Sequence, residues 1–215
     1  MTMLKKLLCA TLLLLAPISV AFAQEVRNYE AGVHYQVLPA TVTTSDPERV
    51  EVVAVFGYSC PHCASLEPML ASWAKQLDDS VAFGHLPVVF SRNWEPLARA
   101  YYVAELSGKV EETHQAMFDA VHVQNARFRS TDDIAAFYAN FGIDTDEFNK
   151  LYNSFAVDTR LKQGQARLRG YQITAVPAMV VNGKYHITGA MAGSNSEMLR
   201  VAEYLIAKER EALAN

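Results

Sequence analysis

Four consecutive residues, Cys60-Pro61-His62-Cys63, carry the clearest chemical signal in the chain. Cysteines at this spacing put both sulfurs on the first turn of one helix, which suits a redox dithiol or half of a metal site. The thiolate is the nucleophile in disulfide exchange, and an ordinary thiol with a pKa of about 8.5 is mostly protonated at neutral pH. Cys60 has three reasons to be more acidic. Unpaired N–H groups and the dipole at a helix N-terminus favour negative charge, the Cys63 thiol can donate to it, and His62 can carry positive charge within the same turn. A stabilised thiolate favours the reduced form, and that makes the disulfide an oxidant. Cys63, one turn further in, is the resolving thiol. A structural zinc site needs a set of Cys and His ligands. The histidines at His34, His85, His114, His122 and His186 offer no second paired spacing, so no metal is expected. No cofactor is expected either.

The rest of the chain fixes the setting. Lys5 and Lys6 precede an apolar run from Leu7 to Ala16, and Ala21-Phe22-Ala23 supplies the small residues of a cleavage site, which reads as a secretory signal peptide over residues 1–23 cut after Ala23. The run is short for a bilayer span, and Pro17 and Ser19 interrupt it. Of three cysteines, Cys9 leaves with the signal, so the exported chain keeps only Cys60 and Cys63. Export to a compartment that permits disulfides makes that pair a couple that can be oxidised and reduced. A bridge closing so short a loop adds little chain-entropy stabilisation, so a structural staple is a poor account of it. Loss of Lys5 and Lys6 leaves 17 basic residues against 23 acidic ones, and such a chain has no electrostatic reason to seek nucleic acid or an anionic membrane surface.

The elements that must hold the two sulfurs follow from periodicity. Val33 to Leu38 and Val50 to Phe56 read as strands, the second buried on both faces. From Cys60 the period turns helical through Cys63, Leu66, Leu70, Trp73 and Leu77, with Ser59 as N-cap, Pro61 near N1 and Pro68 as an expected kink. Val81 to Val89 is the next strand, completing a strand, helix, strand unit of the parallel kind. From 91 to 165 only helices are expected: one opened by Asn93-Trp94-Glu95-Pro96, one over Val110 to His122, one capped by Ser130 and one capped by Asp144. Ala178 to Val181 and Lys184 to Thr188 form a hairpin across Asn182-Gly183, and Asn195 or Ser196 caps a final amphipathic helix. The layout is an α/β unit, 24–90 plus 166–215, split by an inserted all-helical domain at 91–165. Trp73, Phe83, Phe90, Trp94, Tyr101 and Tyr102 read as core or interdomain packing, while Tyr58 and Val176 are candidates to line an exposed groove.

The run Phe56-Gly57-Tyr58-Ser59-Cys60-Pro61-His62-Cys63 after a buried strand, Val176-Pro177 just before another, and the Val181-Asn182-Gly183-Lys184-Tyr185 hairpin resemble the DsbA family of periplasmic thiol-disulfide oxidoreductases. The resemblance spans nearly all of the chain after the signal and implies a thioredoxin-like fold with a helical insertion. The resemblance also implies an acidic first cysteine and an oxidising couple, the same direction as the helix-cap chemistry of Cys60. By the resemblance, Cys60 is the attacked sulfur, Cys63 its buried partner, and Pro61 and His62 the dipeptide that tunes them. Pro177 matches a cis-proline, and the backbone of Val176 before it binds an extended substrate. The implied activity is donation of the Cys60-Cys63 disulfide to unfolded exported proteins with free cysteines, followed by reoxidation by a DsbB-like, quinone-linked partner in the inner membrane. A reductase or isomerase, or a thioredoxin-like binding module with an idle disulfide, are the competing readings, and a monomer is the default. One position departs from the family: its buried acid, six residues before the first cysteine, is here Ala54. Glu51 is on the opposite strand face by alternation, and His85 matches the basic partner of that acid, either as a proton relay or as a buried, satisfied histidine.

Overall fold

A computed structural model of the chain describes residues 28–213. The expected signal peptide and its cleavage point lie outside the described residues. Among the described residues, no helix is long and apolar enough to cross a membrane.

The strand β2 (Val50–Phe56) is buried at every position, as its near-continuous apolar run demands. A single helix, α1 (Pro61–Ala74), carries the chain across to β3 (Val81–Pro87), which pairs with β2 in parallel from Val50 beside Val81 to Phe56 beside Pro87. On the other side β2 pairs antiparallel with β4 (Ala178–Val181), and β4 with β5 (Tyr185–Thr188). The β4–β5 turn is held by Asn182 at φ 50° and Gly183 at φ 61°, the left-handed pair that a two-residue hairpin requires. A side chain at 183 would also meet the Val42 carbonyl oxygen at 1.9 Å. The short strand β1 (Gln36–Val37) closes the sheet in the order β1-β5-β4-β2-β3.

Five helices stand between β3 and β4: α2 (Glu95–Leu106), α3 (Val110–His122), α4 (Thr131–Ala139), α5 (Thr145–Tyr152) and α6 (Phe155–Gly170). Ser130 and Asp133 form a reciprocal capping box on α4, and the Asp144 carboxylate accepts from the N–H groups of Asp146 and Glu147 on α5. After β5 come a single turn, α7 (Gly189–Ala192), and the long α8 (Asn195–Leu213). Three apolar clusters result. Val50, Val52 and Ala54 pack with Leu66, Leu70 and Trp73 of α1 and with α8. Val53 and Val55, on the opposite face of β2, pack with Leu168 of α6 and with Tyr171. Phe56, Tyr58, Cys60 and Cys63 join the core of the helical segment, with Phe118, Tyr138 and Phe148. Each large side chain so enclosed contributes roughly 1.5–3 kcal/mol of transfer free energy.

Several expectations are corrected. The first strand shrinks from Val33–Leu38 to two residues, because Gly32 turns the chain at φ 82° and leaves Val33 and Val37 exposed at the sheet edge. The helical segment does not end at 165 but continues to Gly170. The last stretch is also two helices rather than one, because Ser154 accepts from Val157 N–H and starts α6 anew. Helix α1 stops before Leu77. The cap of α8 is Ser194, whose hydroxyl accepts from Glu197 N–H. Phe90 is 46 % exposed rather than packed, and Tyr58 is buried rather than lining a groove.

Candidate active site

Cys60, not Ser59, is the N-cap of α1. It holds an extended backbone at φ −94°, ψ 113°, Pro61 follows in the first turn, and the Cys63 backbone N–H donates to the Cys60 sulfur at 3.3 Å. A sulfur therefore does the work of the usual hydroxyl or carboxylate cap, and the unpaired N–H groups of the first turn point at it. The loop before it is clamped. Gly57 leaves room for the Trp94 ring, which a side chain would meet at 2.2 Å. The Tyr58 carbonyl accepts from His122 Nε2–H at 2.7 Å, tying this loop to α3.

The two thiols are free and differ sharply in environment. Donation by the Cys63 thiol, then by the N–H groups of Cys63 and His62, with the positive field of His62 last, outweighs burial and brings Cys60 down to about 6. At pH 7 about nine-tenths of it is thiolate. Cys63 is pushed far up, first because its thiol proton is held by Cys60, then by burial, with Glu67 among the negative neighbours. One sulfur is ready to be a stable thiolate and the other to hold its proton.

Across the sulfur lies the loop before β4. The Val176–Pro177 peptide is cis, and the Val176 carbonyl oxygen stands 3.6 Å from Cys60 Sγ, within reach of a thiol S–H. Val176 and Pro177 are both partly exposed, while Pro61 and His62 are exposed beside Cys60. The structure thus brings Cys60, Pro61, His62, Cys63, Val176 and Pro177 to one end of the sheet.

Ala54 and His85 are register partners on β2 and β3, so the small side chain does sit opposite the imidazole. Glu51 is engaged elsewhere, bonded to Arg167 of α6 and to Ser45. The acid that faces His85 is one the sequence reading missed, Glu67 of α1, whose Oε1 lies 3.7 Å from His85 Nε2. Its Oε2 lies 3.4 Å from Nε2 of His114 on α3. His114 Nδ1 in turn meets the Tyr58 hydroxyl at 2.8 Å. Burial would raise the Glu67 carboxyl, but the two imidazoles outweigh it and hold it at about 2. Burial in turn holds His114 below the ordinary histidine range. The signal for Glu67 was present: it follows Cys63 by one helical turn, in the buried stripe of Cys63, Leu66, Leu70 and Trp73. These three groups also form the one set among the described residues that could hold a metal ion.

The comparisons with known proteins agree with this geometry. A family model described as a DSBA-like thioredoxin domain matches residues 51–201. The thiol:disulfide interchange protein DsbA of Pseudomonas aeruginosa is 37 % identical over 190 residues, covering 88 % of this chain and 90 % of that protein. The protein of the same name from Azotobacter vinelandii is 37 % identical over 185 residues, covering 86 % of each. The crystal structure of Pseudomonas aeruginosa DsbA superposes with a TM-score of 0.83 at 37 % identity, over 87 % of this chain and 97 % of that one. That of the oxidoreductase DsbA from Xylella fastidiosa gives 0.80 at 33 % identity, over 85 % and 98 %. A dithiol built on a helix cap, a thioredoxin-like sheet and these relatives together mean that the chain belongs to the DsbA-like family of thiol-disulfide oxidoreductases.

Proposed function

We propose that the protein is a dithiol oxidase that donates the Cys60-Cys63 disulfide to newly exported proteins in the periplasm, after removal of a signal peptide behind Ala23. The observation that carries this is the split between the sulfurs, Cys60 held near a pKa of about 6 and Cys63 pushed up. In the forward reaction a substrate thiolate attacks Cys60 Sγ, the Cys60-Cys63 bond breaks, and its electron pair leaves on Cys63, which takes up a proton. A second substrate thiolate then attacks the substrate sulfur of the mixed disulfide and expels Cys60 as a thiolate. The substrate gains a disulfide and the enzyme is left as a dithiol. Low basicity makes Cys60 a good leaving group in that last step.

His62, through its positive field, and Pro61, at the first helical position, tune the couple. The backbone of Val176 and the Pro177 bend line the approach of an extended chain to Cys60. His85, whose Nε2 lies 3.7 Å from a Glu67 carboxylate oxygen, is the proton relay for Cys63. The thioredoxin-like part, 24–90 plus the chain after Gly170, carries the dithiol, and the helical segment beginning at 91 covers it. The dithiol is reoxidised by a DsbB-like, quinone-linked partner in the inner membrane, and the enzyme works as a monomer. The reading is tested by mixing the disulfide form with a reduced, unfolded, cysteine-containing protein. Stoichiometric loss of substrate thiols, with a mixed disulfide trapped through Cys60 in a Cys63→Ala variant, supports it. No thiol loss sinks it.

A further inference from the structure

Glu67, His85 and His114 come from three elements, α1, β3 and α3, and bring their ligand atoms within 4.8 Å of one another. The carboxylate offers one oxygen to each ring, at 3.4 Å from His114 Nε2 and 3.7 Å from His85 Nε2. Both gaps exceed the roughly 2.7–3.2 Å of an N–H···O hydrogen bond, and neither Nε2 has a hydrogen-bond partner. His114 is 4 % exposed, so bulk water does not satisfy it, and a buried polar atom without a partner calls for an explanation. A tetrahedral ion with bonds of about 2.0–2.1 Å holds its ligands about 3.4 Å apart, and one ligand atom from each of the three residues already lies within 4.8 Å of the other two.

The surroundings fit as well. His114 turns its second nitrogen, Nδ1, to the Tyr58 hydroxyl at 2.8 Å, the outer contact by which metal-bound imidazoles fix tautomer and orientation. In the tautomer whose Nδ1–H donates to the Tyr58 hydroxyl, the Nε2 lone pair faces the Glu67 carboxylate and is free to ligate an ion. A cavity of about 760 Å³ lined by Phe83, Val110 and all three candidate ligands reaches the surface at Lys75 and Glu111, so an ion has an entry path and room for a water as fourth ligand.

We propose that Glu67, His85 and His114 form a binding site for one divalent transition-metal ion, Zn2+ by its ligand types, with a fourth position open to the cavity. Reading ligands by their spacing along the chain missed this set, because one residue comes from each of three elements. The proposal does not rest on the oxidase reading, although it shares His85 with the relay proposed for Cys63. An ion on His85 Nε2 and a relayed proton are alternative occupants of the same lone pair.

The test uses the full chain without its signal segment in the disulfide form, whose bonded sulfurs cannot compete as ligands. Co2+ and Zn2+ are titrated in, and uptake of one ion per chain is expected, with Zn2+ displacing Co2+. X-ray absorption of the Zn2+-loaded protein should give two imidazoles and no sulfur. Glu67→Gln and His114→Gln should each weaken Zn2+ binding more than about 100-fold, and Tyr58→Phe about tenfold, while His186→Gln should leave it unchanged. No stoichiometric uptake by the folded wild-type protein overturns the proposal. Sulfur or fewer than two imidazoles in the absorption spectrum, or binding that survives both ligand variants, also overturns it. Circular dichroism checks each variant's fold, and the wild-type spectrum decides should a variant fail to fold.

Discussion

The sulfur of Cys60 lies 3.6 Å from the carbonyl oxygen of Val176, a residue 116 positions further along the chain. That contact joins the helix cap on α1 to the loop before β4, so the reactive sulfur and the partly exposed Val176 face the same approach. In the proposed reaction an extended substrate pairs with the Val176 backbone while its own sulfur meets Cys60.

The Cys60 thiolate should titrate in the reduced protein with a midpoint near pH 6, followed by its absorbance near 240 nm. Cys63→Ala removes the largest cause of the depression and should raise the midpoint by about one unit or more. Linkage gives the sign for stability. A cysteine depressed in the folded state stabilises the reduced protein fully above its ordinary pKa of about 8.5, and that contribution is lost as pH falls toward 6. The denaturation midpoint of the reduced form, relative to the oxidised form, should therefore rise between pH 6 and 9. A flat difference would contradict the assignment.

Replacing His85 by Leu should slow oxidation of a reduced substrate, on the order of 100-fold if proton transfer to Cys63 limits turnover, with little change in the equilibrium against glutathione. Stopped-flow rates across pH would check it. An unchanged rate with a shifted equilibrium would mean that His85 acts only through its field.

Gly57→Ala should destabilise the protein by about 1–3 kcal/mol in urea unfolding, because the added methyl meets the Trp94 ring at 2.2 Å. Trp94→Leu in the same chain should recover part of that loss. Additive costs in the double variant would exclude the contact as the cause.

Glu209 is buried under the β4–β5 hairpin, where it accepts from Asn182 Nδ2 at 2.6 Å, Lys184 Nζ at 2.5 Å and the Tyr185 hydroxyl at 2.9 Å. Glu209→Ala strands two buried donors, Asn182 Nδ2 and the Tyr185 hydroxyl, and should cost about 2–4 kcal/mol, read from the shift in the urea midpoint. A loss under about 0.5 kcal/mol would mean that water replaces the carboxylate at the turn.

Much of this was legible in the chain. The run Val50–Phe56 could only be a doubly buried strand, and Asn182-Gly183 only a tight hairpin turn, because each depends on neighbours in sequence. Pro61 and the two cysteines likewise marked a helix start. What stayed hidden depends on distant contacts. Ser59 is an ordinary N-cap type, and only the structure reveals that the sulfur of Cys60 takes that place. Glu67 is unusual only as an acid in an apolar stripe, and its partners His85 and His114 come from β3 and α3. Tyr58 looks free to face solvent until α3 covers it. Ser154 reads as a loop residue until its hydroxyl starts α6.

The central claim is that the split between Cys60 and Cys63 makes their disulfide an oxidant. The equilibrium of the purified protein with reduced and oxidised glutathione, followed by Trp fluorescence, measures this directly. The account predicts that a small proportion of reduced glutathione converts the protein to its dithiol form. A disulfide that persists against excess reduced glutathione would contradict it, and the reductase reading, or an idle disulfide, would then fit better.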